Sequence, residues 1–271
     1  MRFMLILLCV CLFNTTLNVR AHPAAKASPQ LLPRYCPNPL VIVFYGDWYP
    51  YMFFKDDQFQ GVDHEFFVAV LNRLGCQVKV DALPEKRAHS NLAKGGGNLV
   101  MSGATVTKER KTYAYFSKTY RDEVISLFYL SKEALPDTLT SVKYLVANSQ
   151  VIATNGAAFY GTDIEELRNS KFGSRFIHMP SLHNRVEMLH KGRAQAIIED
   201  YIAGCNDFHL SAPDIISELQ AVTVNKVRVA FMFSKAAVTP EFVNLFDENM
   251  QQLIDQGMLA QMMAKYTPMG C

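Results

Sequence analysis

An α/β fold arranged as two lobes is what this sequence predicts, and three observations carry the prediction. Short apolar, β-branched runs at 40–44 (LVIVF), 99–101 (LVM), 151–154 (VIAT) and 196–198 (AII) give way to glycine, hydroxyl or acidic residues. Between them lie segments whose apolar residues recur at helical spacing, the alternation expected of strands and helices packed in layers. A chain of 271 residues that is 49% hydrophobic fills one large core or two smaller ones, and two lobes fit that length. A net charge of +2 without a long basic run excludes the clustered cations that a nucleic-acid partner demands.

Residues 1–21 read as a secretory signal peptide. Arg2 precedes an unbroken apolar run at 3–13, and the polar stretch after it ends Val19-Arg20-Ala21, whose Val19 and Ala21, three and one residues before His22, suit cleavage there. Eleven apolar residues are too few to span a bilayer, and no later stretch is long enough to anchor the mature chain, so it is expected to be exported to the periplasm. Residues 22–38, rich in Pro and Ala, read as a flexible leader. Removing the signal takes Cys9 and Cys11 and leaves Cys36, Cys76, Cys205 and Cys271, an even number in an oxidising compartment that allows three pairings. Cys36 and Cys76 each precede an expected strand and could meet at one edge of one sheet, in which case Cys205 would reach Cys271; the sequence leaves the pairing open. No two of the four have metal-ligand spacing, so no metal is expected.

The ordered chain begins with the strand at 39–44 and passes into Gly46-Asp47-Trp48-Tyr49-Pro50-Tyr51, where the rings either cover the core or stack on a ligand. A helix follows with Asp63 expected as its N-cap; Phe66, Phe67, Val70, Leu71 and Leu74 share one face, and Gly75 ends it. After a strand at 77–83, the turn Pro84-Glu85-Lys86-Arg87 offers Lys86 and Arg87 either to solvent or to a ligand side chain, and a helix is expected at 88–94. Gly95-Gly96-Gly97 lacks the Gly-x-x-x-x-Gly-Lys arrangement of a phosphate cradle and reads as a turn. The strand at 99–101 then opens into Ser102, Gly103, Ala104 and Thr105, which present hydroxyls and backbone N–H groups where open α/β sheets bind ligands. Arg110, five residues on, is placed to grip a carboxylate with two parallel hydrogen bonds.

Two apolar stretches, 123–130 and 222–234, are long enough to cross between lobes. Between them a strand at 151–156 ends in glycine, a helix opens at 162–167, and a strand within 192–201 delivers Glu199 and Asp200. Those carboxylates are acid/base machinery, or one of them caps the next helix. Phe242, Leu245, Phe246, Met250, Leu253 and Ile254 form the apolar face of a C-terminal helix. The methionines of the C-terminal helices, Met250, Met262 and Met263, read as core, and no cofactor motif is present.

The run Ser102-Gly103-x-Thr105-Val106-Thr107-Lys108-Glu109-Arg110, with Phe116-Ser117 and Tyr120 after it, resembles the signature of the family 3 periplasmic solute-binding proteins. Among these are lysine/arginine/ornithine-, histidine- and glutamine-binding proteins. Gly61-x-Asp63, the 192–201 segment and the ending Asp255-Gln256-Gly257-x-Leu259 are similar as well. The resemblance implies a type II periplasmic-binding-protein fold with two hinge crossings, each lobe a mostly parallel sheet flanked by helices. Lobe 1 would take 39–124 and 230–271, and lobe 2 125–229. It further implies a monomer that captures an amino acid or related zwitterion without a cofactor and hands it to the membrane subunits of an ABC importer. Arg110, Thr105, Gly103 and Ser102 would hold the α-carboxylate, Asp200 the α-ammonium, and Trp48 or Tyr51 would pack on the ligand. Where the family has Gly followed by Ser or Thr, this chain has Ala157 and Ala158, which leaves Ala158 only a backbone donor. Cyclohexadienyl dehydratases are similar too, and in that reading the chain is an enzyme with Glu199 as its acid; in a third, it is the sensing module of a separate receptor.

Overall fold

A computed structural model describes residues 36, 38–131, 135 and 139–266; the expected signal peptide, nearly all of the expected leader and Cys271 lie outside these residues, and with them the expected Cys205–Cys271 pairing. The chain opens with β1 (Leu40–Phe44), a hairpin of β2 (Phe53–Lys55) and β3 (Gln58–Gln60), and α1 (Val62–Arg73). Then come β4 (Val78–Ala82), α2 (Glu85–Ala93), β5 (Leu99–Thr105), α3 (Lys108–Tyr113), β6 (Ala114–Phe116) and the long β7 (Arg121–Leu130). The second group is α4 (Leu139–Ala147), β8 (Ile152–Thr154), α5 (Thr162–Arg168), β9 (Phe176–His178), α6 (Leu182–His190), β10 (Ala196–Asp200) and α7 (Tyr201–Ser211). Strand β11 (Leu219–Ser234) returns to the first group, which α8 (Pro240–Asp255) and α9 (Met258–Tyr266) complete.

The main sheet runs β4-β1-β5-β11-β7-β10-β8-β9. Two parallel sets, β4-β1-β5 and β10-β8-β9, flank β11 and β7, which pair antiparallel to each other and to their outer neighbours. Within the outer sets, β1, β5, β8 and β10 are the short apolar runs of the sequence, while the edge strands β4 and β9 are more polar or exposed. The crossings are β7 and β11, paired from Leu219↔Leu130 to Val229↔Arg121 with a register shift between Thr223 and Asn225. Both expected lobe boundaries, 124/125 and 229/230, fall inside these strands, so the lobes join through continuous sheet.

The first lobe's core is aromatic. Phe67, Phe231, Phe233, Phe242 and Phe246 are fully buried, and Phe231 stacks on Tyr120 at 4.3 Å between ring centroids. Cys36 and Cys76 form a disulfide, with Cα atoms 5.9 Å apart. The register explains it: Leu40 pairs with Val78, so the residues just before β1 and β4 meet at the same end of the sheet.

Two local expectations are corrected. The N-cap position of α1 is Gly61, with no side-chain cap, and Asp63 lies in the first turn, where its carboxylate is spent on an ion pair described below. Helix α2 starts at Glu85, directly after Pro84, so Glu85, Lys86 and Arg87 belong to the helix rather than to the turn before it.

Candidate functional site

A cavity of about 540 Å³ lies between the lobes. Its first-lobe wall includes Tyr45 to Tyr49 from the loop after β1, Glu85 and His89 of α2, residues 101–105 of β5, and Arg110. The facing wall includes Asn155, Ala158 and Tyr160 from the segment after β8, Arg185 of α6, Glu199 of β10 and Asp207 of α7. Glu123 and Ile125 of β7 form part of the floor. The rim is closed by hydrogen bonds across the gap: Asn155 Nδ2 donates to Glu85 Oε2 (2.7 Å), and Arg110 Nη2 to the Ala157 carbonyl (3.1 Å).

Arg110 is positioned by Thr107, whose hydroxyl caps α3 by accepting from the Arg110 N–H (3.1 Å). Its guanidinium reaches into the cavity wall and donates from Nη1 to the Thr105 carbonyl (3.1 Å). Both side-chain partners of Arg110 are therefore main-chain carbonyls, one from each lobe. Ser102 also lines the cavity; it is buried, and its Oγ has no hydrogen-bond partner. Trp48 lines it and donates from Nε1 to Glu199 Oε1 (3.2 Å). Ala158 lines it with its carbonyl taken by Arg168 Nη1 (3.1 Å). Gly103 lines it as well, but its N–H donates to the Tyr120 hydroxyl (3.1 Å). The residue has φ +59°, and a Cβ there would stand 3.0 Å from both Arg121 Nη2 and Trp48 Cζ3, so glycine is required on conformation and on space.

Asp200 and Tyr51 are brought together, but away from the cavity wall. Adjacent strand residues point to opposite faces, so with Glu199 turned toward the cleft Asp200 turns away from it. There Asp200 caps α7 by accepting from the Ala203 N–H (3.0 Å), and it also takes the Tyr51 hydroxyl (2.9 Å) and the Val124 N–H (3.2 Å). Lys86 and Arg87 do not line the cavity either; both are exposed.

The floor holds an acidic group that the motifs did not single out. Arg121 donates from Nε and Nη2 to the two oxygens of Asp63, each at 2.8 Å, and its guanidinium lies 3.6 Å from the centre of the Tyr51 ring. Arg185 pairs with Glu199 Oε2, while Glu199 Oε1 accepts from the Asp200 N–H (2.9 Å) as well as from Trp48. That matches two arginines to two carboxylates and leaves Glu123 over. Its Oε1 lies 2.9 Å from Arg121 Nη1 without forming a hydrogen bond. Burial pushes the Glu123 carboxyl up, Arg121 opposes this, and Asp200, Asp63 and Glu199 push it further, to about 8. Burial also raises the carboxyl of Glu199, offset by Arg185, and that of Asp200, offset by Arg121 and by its hydrogen bonds.

Residues 40–269 match the sequence family described as bacterial extracellular solute-binding proteins, family 3. The chain belongs to that family. No curated protein matches it in sequence. Among solved structures, similarity to this family member includes the arginine-, lysine-, histidine-binding protein ArtJ of Geobacillus stearothermophilus, at 17% identity over 86% of this chain and 97% of that one, with a TM-score of 0.69. A histidine kinase sensor domain with similarity to periplasmic binding proteins matches at 16% identity, 86% and 96% coverage and a TM-score of 0.70. The ancestral amino acid-binding protein AncCDT-1, a precursor of cyclohexadienyl dehydratase, matches at 20% identity, 85% and 95% coverage and a TM-score of 0.66. At such identities these likenesses establish the type II periplasmic-binding-protein fold. Among the described residues no helix is long and apolar enough to cross a membrane.

Proposed function

We propose that this protein captures a small amino acid or related zwitterion between its lobes and presents the closed form to the membrane subunits of an ABC importer. The observation that carries the reading is the placing of one guanidinium with exchangeable partners and a carboxylate floor around one partly open cavity between the lobes. Arg110 holds only main-chain carbonyls, so its positive charge has no opposite charge among its hydrogen-bond partners, and a ligand carboxylate would add that charge and a two-pronged geometry. A ligand carboxylate thus displaces the Ala157 carbonyl at a net gain, with the Ser102 hydroxyl as a second donor and Thr105 beside it. Trp48 packs on the ligand. In this reading Gly103 gives Trp48 and Arg121 their room, while Asp200 and Tyr51 brace the floor from behind instead of touching the ligand, and Ala158 contributes backbone to the facing wall. The periplasmic location rests on the reading of residues 1–21 as a signal peptide.

The test is a thermal-shift and calorimetry panel of amino acids on the mature chain. A ligand at about one hundred times its dissociation constant adds about 2.7 kcal/mol of stability, and Arg110→Ala abolishes the shift. An unchanged shift in that variant refutes the carboxylate role. Copurification with importer subunits supports delivery, whereas copurification with a kinase supports the sensing alternative.

A second reading has one observation in its favour. Glu199 lines the cavity with its carboxyl raised by burial, as an acid catalyst on the dehydratase pattern requires. Turnover of prephenate or arogenate would replace the transport reading; its absence removes this one.

A further inference from the structure

Resting on the capture of an ammonium-bearing ligand, we infer that Glu123 is the group that receives the ligand's cation, and that it does so by giving up a proton of its own. The argument starts from the partners on the floor. Asp63 takes both forks of Arg121, Glu199 takes Arg185, Trp48 and a backbone N–H, and Asp200 takes one hydroxyl and two backbone N–H groups. Glu123 alone among the four lines the cavity without a hydrogen bond at its buried Oε1.

Its surroundings are predominantly acidic. On its own strand, β7, it faces Arg121; from α1 comes Asp63, from β10 Glu199 and Asp200, and from the loop after β1 the neutral phenols of Tyr45 and Tyr51. Arg185 of α6 is occupied by Glu199. Arg121 is the one cation set against it, with Nη1 2.9 Å from Glu123 Oε1 but no hydrogen bond while Nε and Nη2 serve Asp63; this shared charge does not offset burial and three neighbouring carboxylates, so without ligand the carboxyl keeps its proton at neutral pH. An arriving ammonium supplies both the missing donor and the missing positive charge. The carboxylic acid and the ammonium then become a carboxylate–ammonium pair, and one proton passes to solvent. No bond other than the O–H is broken.

Such a residue makes the cleft select for cations in a pH-dependent way. Below about pH 8 each binding event must expel a proton, so affinity rises about tenfold per pH unit toward pH 8 and then levels off. Calorimetry of the amino acid that shifts the wild-type melting temperature, run at pH 6.5 in two buffers of different ionisation enthalpy, reads the released proton directly. The expected result is close to one proton released by the wild type and close to none by Glu123→Gln, together with a flattened pH profile in the variant. Binding without proton release in the wild type, or equal release in the variant, overturns the role of Glu123 while leaving capture by the cleft intact. If no amino acid binds the wild type at any pH, the capture reading fails and this inference fails with it. Circular dichroism and melting of Glu123→Gln establish that the variant is folded, and the two-buffer measurement on the wild type stands without it.

Discussion

Arg110 and Arg121 are near neighbours in sequence, yet only Arg110 lines the cleft, and the two are bonded in opposite ways. Arg121 is buried on every side, with both oxygens of Asp63 on its fork and the Tyr51 ring beneath its plane. Arg110 is half-buried and holds only main-chain carbonyls, one of which belongs to the other lobe. A guanidinium matched to a buried carboxylate cannot leave without stranding a charge. One that rests on carbonyls exchanges them for a better acceptor whenever one arrives. Partner type and access to solvent decide which arginine can serve a ligand.

The comparison is broken most severely by removing the structural member. Arg121→Ala strands the Asp63 carboxylate in the core and is expected to cost about 3–5 kcal/mol in denaturant unfolding. A loss under about 1 kcal/mol, the range of exposed pairs, would mean that the two arginines are not distinct in kind. Arg110→Ala is the converse. Its unliganded stability is expected to fall by about 1.5–3 kcal/mol, the range for hydrogen bonds made by a charged group, while about 2.7 kcal/mol of ligand-induced stabilisation at about one hundred times the dissociation constant disappears. A variant that is strongly destabilised yet still shifts with ligand would reverse the assignment.

The sequence was informative where one residue fixes one local outcome. The apolar runs became strands, and the spacing from Thr105 to Arg110 carried the guanidinium into the cleft wall. The cysteines before β1 and β4 met because both strands start in register. What it did not disclose were relations between distant segments. Asp63 looked like a helix cap because its partner, Arg121, lies on the distant strand β7. Asp200 carried the motif while Glu199 faces the cleft. Strand alternation alone says that only one of two neighbours can do so, but choosing between them takes the register with β7, where Asp200 meets Ile125. Glu123 carried no signal: a single acidic residue in a strand is ordinary until Asp63, Glu199 and Asp200 are seen around it.

The acids behind the two arginines sharpen the comparison through pH. A carboxyl raised in the folded state from 4.5 to about 8 favours folding below about pH 4.5, and that contribution is lost as pH rises through 8. The unliganded wild type is therefore expected to lose stability across this window, with Glu199 and Asp200, also raised, acting in the same direction. Glu123→Gln removes the largest part of the slope and should melt higher than the wild type at pH 8.5. Parallel melting curves against pH for the two proteins would show that the strain of the acidic floor lies elsewhere.

The smallest expected effect tests whether Asp200 belongs with the scaffold, as Arg121 does. Tyr51→Phe deletes the hydroxyl that donates to Asp200 Oδ1 but keeps the ring over Arg121, and the same oxygen retains the Ala203 N–H. One bond to a charged acceptor is lost and the acceptor stays satisfied, so the expected cost is about 1–2 kcal/mol of stability. Because neither group reaches the cavity wall, ligand affinity should change less than threefold. A large loss of affinity at unchanged stability would bring Asp200 back to the ligand and place it alongside Arg110 instead.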